Sequence, residues 1–414
     1  MRVLWGVLCA ATACGGGSAK PDAMPDTAPD SAFGAPSAVY PAFHPPVPQI
    51  TKQDNAFVIA QPRVVEVYFS DDPETAMLED FTNKLATSSE WMAMVHEYGV
   101  GPITVATPVV LTTTTPATLT DANVRGILQT SLDGTHPEWG PTDATTLASS
   151  IFVFHMPLGV QYSNGTENGC TAYYGYHNEA SINNAPTPYA IINSCVPPPT
   201  VPSTLDLDTS TITHELVEAV TDPRPFSGYN TIAPAFAAWA FQGGSELGDM
   251  CELSADNFVK ATDLGYTIQR TWSNAGAAGY HEPCVPAPAS ATVFIASVPV
   301  QGDPIVGNRN GFQVPMIGTA AHLNQPVTIP IDLLSDGPTG GKWAIQALDD
   351  ATLEGATSPL LDLHLDRQLG ENGEIVHLTI TPKSVPPTGV AFFTMRSTLP
   401  GIRTVWRGAV GISP

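Results

Sequence analysis

Six short runs near the C-terminus constrain the fold more than any other feature of the chain. "ATVFIASV", "PVTIPIDL", "KWAIQAL", "IVHLTITP", "GVAFFTMR" and "IRTVWRGAV" alternate apolar and polar residues and are separated by Gly, Pro, Asp and Asn. No helical period competes with them. Several such strands within about 125 residues predict an all-β sandwich over 287–414. This region carries no evident chemistry. His364 and His377 have no second ligand at a fixed spacing, so they read as surface or strand histidines.

The preceding half has a different texture. "RVVEVYF" (63–69) reads as a buried strand. In 73–101, Met77, Leu78, Phe81, Leu85, Trp91, Met92 and Val95 recur at helical spacing, predicting two helices that meet near Ser88 and Ser89 and end at Gly99 or Gly101. "ITVATPVVL" (103–111), "DANVRGILQTSL" (121–132) and "SSIFVFHMP" (149–157) follow as strand, helix and strand. The segment 56–286 is therefore a mixed, α+β domain. Ahead of it, the Pro/Gly-rich stretch 15–55 lacks the apolar residues for a core and is expected to be a flexible tether.

"MRVLWGVLCAATAC" has the order of a signal peptide: early Arg2, an apolar run, then small residues. Ala11-Thr12-Ala13 before Cys14 resembles a lipobox, which implies acylation at Cys14 and a bacterial cell-envelope lipoprotein. The other reading is a plain secretory signal cut near Ala13. The chain is expected to meet the membrane through the lipid anchor alone. Sixteen Lys and Arg against 39 Asp and Glu leave a formal charge of −23, which excludes nucleic acid as a partner and suits cation binding. Four cysteines remain beyond the leader: Cys170, Cys195, Cys251 and Cys284. An even number in an exported chain predicts two disulfides among three possible pairings. The local pairing, Cys170 with Cys195 and Cys251 with Cys284, is favoured, because each bridge would close a loop-rich segment flanking the motif below.

"ITHELVEAVTDP" (212–223) differs from the zinc-protease signature H-E-x-x-H only in having a glutamate as its last residue. At about 100° per residue, Ile212, Leu216 and Val220 share one helix face, and His214, Glu218 and Asp222 share another with Glu215 beside them. Asp208, Thr209 and Ser210 are candidate N-caps, and Pro223 should end the helix. His214 and Glu218, one turn apart, can ligate one divalent metal, while Glu215 can take a proton from water as general base. In "SELGDMC", Glu246 is the expected third ligand and Asp249 the partner of the other ring nitrogen of His214, a layout that resembles the thermolysin-like arrangement. Asp222 is the alternative third ligand. His177 is either a further ligand or a donor to a developing oxyanion. Zinc fits this set, with calcium or manganese as alternatives because the carboxylates supply hard oxygen donors.

The order "SSEWMAMVHEYGVG", "CTAYYGYH", "PYAIINSC", "ITHELVEAVTDP", Trp239, "SELGDMC" and "RTWSNAG" resembles the Exordium-like, phosphate-induced family of extracellular proteins and its exported bacterial relatives, over roughly residues 60–285. Tyr174 stands where that pattern has cysteine. The resemblance implies an extracellular, zincin-like core with His214, Glu215, Glu218, Glu246, Asp249 and His177 as its site. "EIVHLTITPKSVPPTGVAFFTMRST" in turn resembles the closing strands of bacterial immunoglobulin-like domains. The expected protein is a zincin-like domain followed by an immunoglobulin-like sandwich. Two functions remain: a metallopeptidase or other metal-dependent hydrolase acting on peptide, protein or cell-wall material, or a non-catalytic surface or wall-associated binding protein on the same scaffold.

Overall fold

The computed structural model describes residues 34–414 apart from 225, 226, 242, 243, 253, 255 and 310. The leader, Cys14 and the start of the expected tether lie outside the described residues.

The N-terminal domain is built from β1 (Arg63–Tyr68), α1 (Thr75–Leu85), α2 (Ser89–Val95), β2 (Thr104–Val105), β3 (Val109–Val110), α3 (Asp121–Ser131), β4 (Ser150–Met156), β5 (Gly175–Ile182), β6 (Ala185–Asn193) and α4 (Thr204–Thr221). Its sheet has the order β2-β1-β4-β6-β5, with β3 also pairing to β1. All of its pairings are parallel except that of β5 with β6. Helices cover both faces, which is why all seven residues of β4 are buried rather than every second one. Period-2 alternation then sorts them: Ile151 and Val153 pack towards α1, α2 and α4, and Phe152, Phe154 and Met156 towards α3. The two expected helices meet at Ser88, whose side chain caps α2, and Gly99 closes the following turn at φ +87°. The run 103–111 splits into two short strands around Pro108, which lacks an N–H for the ladder.

The C-terminal part is an all-β sandwich. Its strands are β7 (Ile295–Pro299), β8 (Asp303–Arg309), β9 (Phe312–His322), β10 (Val327–Ser335), β11 (Trp343–Asp349), β12 (Leu361–Leu365), β13 (Leu369–Gly370), β14 (Ile375–Pro382), β15 (Val390–Leu399) and β16 (Ile402–Ser413). A four-stranded sheet, β7-β10-β14-β12, faces a six-stranded one, β8-β9-β16-β15-β11-β13. Alternate residues Ile329, Ile331 and Leu333 and Val376, Leu378 and Ile380 form one inner face, and Trp343, Ile345 and Met395 lie on the other. All six predicted runs are strands here, and His364 and His377 are exposed.

Two results depart from expectation. Residues 34–55 do not behave as a free tether: Ile50–Lys52 pair with Tyr229–Ile232, Asn274 holds both backbone groups of Ile50, and Asn372 binds Ser37 and Val39 on the sandwich. Backbone groups of this stretch find partners on both domains, which offsets the entropy of ordering it. The two cores also merge. Trp239 packs edge-on between Trp272 of the first domain and Trp406 of the sandwich, with ring centroids 5.3 and 5.6 Å away.

Both disulfides form in the favoured local pairing, Cys170–Cys195 and Cys251–Cys284. Such bonds persist in oxidising compartments. No helix among the described residues is long and apolar enough to cross a membrane.

Candidate functional site

Helix α4 positions the motif, and it begins earlier than the sequence predicts. The Ser203 hydroxyl accepts the N–H of Asp206 at 3.1 Å and caps the helix, so Asp208, Thr209 and Ser210 lie inside it rather than before it. All three are buried, and each has a partner. Thr209 donates to the Leu205 and Thr267 carbonyls at 3.0 and 2.7 Å, Ser210 to Leu207 at 2.7 Å, and Asp208 accepts from Ser194 at 2.5 Å. The helix stops at Thr221, where Asp222 leaves helical geometry ahead of Pro223.

The polar face of α4 does not meet bulk water. Glu215 and Glu218 are each only 3% exposed, because α4 packs against β5, β6 and the 267–269 strand. Glu218 is the hub. Its Oε2 lies 3.1 Å from Nε2 of His214 and 3.6 Å from Nδ1 of His177, and its Oε1 accepts the N–H of Asp249 at 3.3 Å. His177, on β5, places Nδ1 3.6 Å from Oε2 of Glu215 as well and donates from Nε2 to the Asp222 carbonyl at 3.0 Å. Asp249 Oδ1 is 3.9 Å from Nε2 of His214. Two overlapping groups with metal-ligand spacing result: His177, Glu215, Glu218 and His214, Glu218, Asp249.

Three predicted roles change. Asp249 does not hold the far nitrogen of His214; it stands on the Nε2 side, among the potential ligands. The far nitrogen, Nδ1, belongs to Gln269, 2.7 Å away on the 267–269 strand, whose amide also donates to the Gly248 carbonyl at 3.0 Å. Gln269 carried no local signal, since only the strand register brings it to His214 across 55 positions. Asp222, the alternative ligand, falls outside both groups; its Oδ1 accepts the Ser227 N–H and its Oδ2 accepts from Asn230. Glu246, expected as third ligand, falls outside both groups; it hydrogen-bonds Asp222, and its charge acts on His177.

A cleft of about 520 Å³ reaches His214 and Asp249 of one group and Glu215 of the other. His214, Glu215, Asp249 and Gln269 line it together with Tyr174 and Phe258, whereas His177 lies behind, out of its reach. Glycines let the backbone close in. A Cβ on Gly248 would stand 2.6 Å from Nδ1 of His214 and 2.7 Å from Oε1 of Glu218, and one on Gly175 would stand 2.7 Å from Oε1 of Glu215.

Five carboxylates and two imidazoles crowd this small volume, and that sets its electrostatics. Burial drives the Glu215 carboxyl upward, pushes Asp249 up to about 8 with help from the Glu218 charge, and Glu246 up to about 10 for the same reasons. Glu218 goes the other way: burial opposes its charge, but His214 and His177 outweigh it and hold the group ionised. Burial likewise opposes charge on both histidines. The surrounding carboxylates, Glu246 first for His177 and Glu218 first for His214, raise both above the usual imidazole range. His177 donates from Nε2 to the Asp222 carbonyl, while its Nδ1 faces the Glu215–Glu218 pair at 3.6 Å, an ion-pair distance rather than a hydrogen bond. Oε2 of Glu215 has no hydrogen-bond partner among the described residues. The site is short of positive charge and of donors, a deficit that a cation would relieve.

No family model matches the chain, and no curated protein does. Among solved structures, domains 4 and 5 of the S-layer protein SbsC match at 14% identity and a TM-score of 0.18, over 28% of this chain and 54% of the S-layer fragment, little more than half its length. The titin M3 domain matches at 11% identity and a TM-score of 0.16, over 29% of this chain and 100% of that domain. Likenesses this slight carry no argument, and the sandwich is assigned from its own strand pairing.

Proposed function

We propose that the N-terminal domain is a metal-dependent hydrolase, a metallopeptidase on a zincin-like scaffold, exported and lipid-anchored through Cys14. The observation that carries this reading is the His214–Glu218–Asp249 group, of which His214 and Asp249 line a cleft, with Glu215 beside them in the same wall. Ligand atoms around a tetrahedral zinc lie about 3.3–3.5 Å apart, close to the 3.1 and 3.9 Å separations around Nε2 of His214. The crowded carboxylates and the orphaned Oε2 of Glu215 also suit a divalent cation, zinc first and calcium or manganese as alternatives.

When bound, the ion would supply Lewis-acid polarisation and a more acidic water. The chain does the rest. Glu215, at the cleft wall, takes the proton from the attacking water and passes it to the leaving amine. His177, through Nδ1, holds Glu215 and Glu218 in place while the Asp222 carbonyl fixes its ring. This makes His177 a positioning residue rather than a ligand or oxyanion donor. The two disulfides support export, and the resemblance to Exordium-like proteins supports an extracellular peptide, protein or wall substrate.

One observation favours the non-catalytic reading. The Gln269 amide nitrogen faces Nδ1 of His214, the ring nitrogen that must carry a proton if Nε2 is to ligate a metal. Metal binding at Nε2 then requires the Gln269 carboxamide to turn. Elemental analysis of the purified mature chain, followed by a peptide library assayed with and without chelator, separates the readings. One ion per chain with chelator-sensitive cleavage supports the hydrolase. One ion without cleavage supports a binding protein, and no ion removes both metal assignments.

A further inference from the structure

Phe258 lines two clefts at once. The first lies over His214 and Glu215; the second, of about 540 Å³, lies between the 256–258 segment and the outer face of the six-stranded sheet. Its sandwich wall is built by register: Gln346 pairs with Arg396, and Thr398 with Arg403, so these four side chains share one face. The intervening Met395 and Ser397 turn into the sandwich core.

Two arginines on one cleft wall are unusual in a chain with 16 basic residues against 39 acidic ones. Nη2 of Arg403 reaches Asp256 at 3.3 Å. Arg396 is less well served: its Nε is shielded from water yet has no hydrogen-bond partner among the described residues. Two guanidinium groups less one carboxylate leave a single uncompensated positive charge. The two Nη nitrogens of a guanidinium can take a carboxylate end-on through two parallel hydrogen bonds without calling on the shielded Nε, and one charge matches a monoanion better than a phosphate, whose second charge would face Asp256.

We propose that this second cleft is a subsite for a carboxylate of an acidic peptide, held by Arg396 and Arg403, whose chain runs past Phe258 into the cleft over Glu215. The inference rests on the hydrolase reading for its choice of a peptide, and it makes the sandwich the part that selects substrate.

Binding of fluorescent hexapeptides to the full mature chain, measured by anisotropy with chelator present so that no cleavage intervenes, tests the subsite apart from catalysis. An amidated hexaglutamate should bind at least ~10-fold more tightly than amidated hexaglutamine, since charge-assisted pairs are the stronger ones. A hexaglutamine with a free C-terminus separates a terminal carboxylate from side-chain carboxylates. Arg396→Gln should abolish the preference at unchanged melting temperature, and Arg396→Lys, which keeps the charge without the fork, should restore part of it. Equal affinity for the charged and neutral peptides, or a preference that survives in both Arg396→Gln and Arg403→Gln, overturns the proposal. Tighter binding of oligogalacturonate than of hexaglutamate overturns the peptide assignment. Chelator-sensitive cleavage without any acidic preference would remove the subsite and leave the hydrolase standing; acidic preference without cleavage would do the reverse.

Discussion

Nε2 of His214 lies 3.1 Å from Oε2 of Glu218, one turn further along the same buried helix. The i, i+4 spacing makes this contact local, and burial makes it costly to break. Glu218→Ala should therefore abolish zinc binding in calorimetric titration and remove any rise in melting temperature on adding zinc. For a site that zinc saturates 100-fold above its dissociation constant, the lost stabilisation is about 2.7 kcal/mol.

Glu215 has a different job from its neighbour and should respond differently. Glu215→Gln keeps shape and volume and leaves the proposed ligands His214, Glu218 and Asp249 untouched, so metal content and melting temperature should stay close to wild type. Peptide hydrolysis should fall by at least ~100-fold, the contribution of a positioned general base. Loss of metal together with activity would instead make Glu215 a ligand.

Gly248 is where the backbone comes closest to the site. Gly248→Ala places a methyl against His214 and Glu218, inside ordinary contact distance of both. Overpacking of this kind costs about 1–3 kcal/mol, and the displaced ligands should weaken metal binding by ~10-fold or more. Thermal melts and metal titration of the same variant measure the two effects separately.

Asp208, two turns before Glu215, ties stability to pH. Burial, with Glu74 and Asp72 nearby, pushes its carboxyl up to about 8. The unfolded chain ionises near the ordinary value of about 4, so between pH 4 and 8 the unfolded state has fewer protons bound at this position than the folded one. Its contribution to stability is therefore full at low pH and declines as pH rises through that window, at most by about 1.4 kcal/mol per unit. Asp208→Asn should flatten this slope in denaturant midpoints measured from pH 5 to 8, with the Asn side-chain oxygen still able to accept from Ser194. An unchanged slope would assign the pH dependence to other groups.

The disulfides close segments 25 and 33 residues apart, for which chain entropy predicts roughly 3–4 kcal/mol each. Replacing Cys251 and Cys284 by alanine should lower stability by that order, and it also loosens the turn carrying Asp249. The Cys170–Cys195 pair should cost similar stability with less effect on metal affinity, as its bridge anchors the rim of the cleft.

What the sequence determined by itself is what short-range periodicity can encode. Alternation marked six of the sandwich strands, helical spacing marked α1 to α3 and the motif helix, and the i, i+4 relation placed His214 and Glu218 on one face. The β8–β9 hairpin escaped because Pro304, Gly307, Gly311 and Pro315 interrupt its pattern. The tertiary structure decided everything that depends on strand register and domain packing. Gln269 rather than Asp249 meets Nδ1 of His214, Asp222 spends its oxygens on the loop that follows it, and His177 sits behind the carboxylates because β5 runs antiparallel beside β6. Trp239 joins the two domains through Trp272 and Trp406, and residues 34–55 strap them through partners more than 150 positions away. Such contacts have no period in the chain, because the groups that satisfy a buried donor or acceptor are chosen by three-dimensional proximity and leave no local trace.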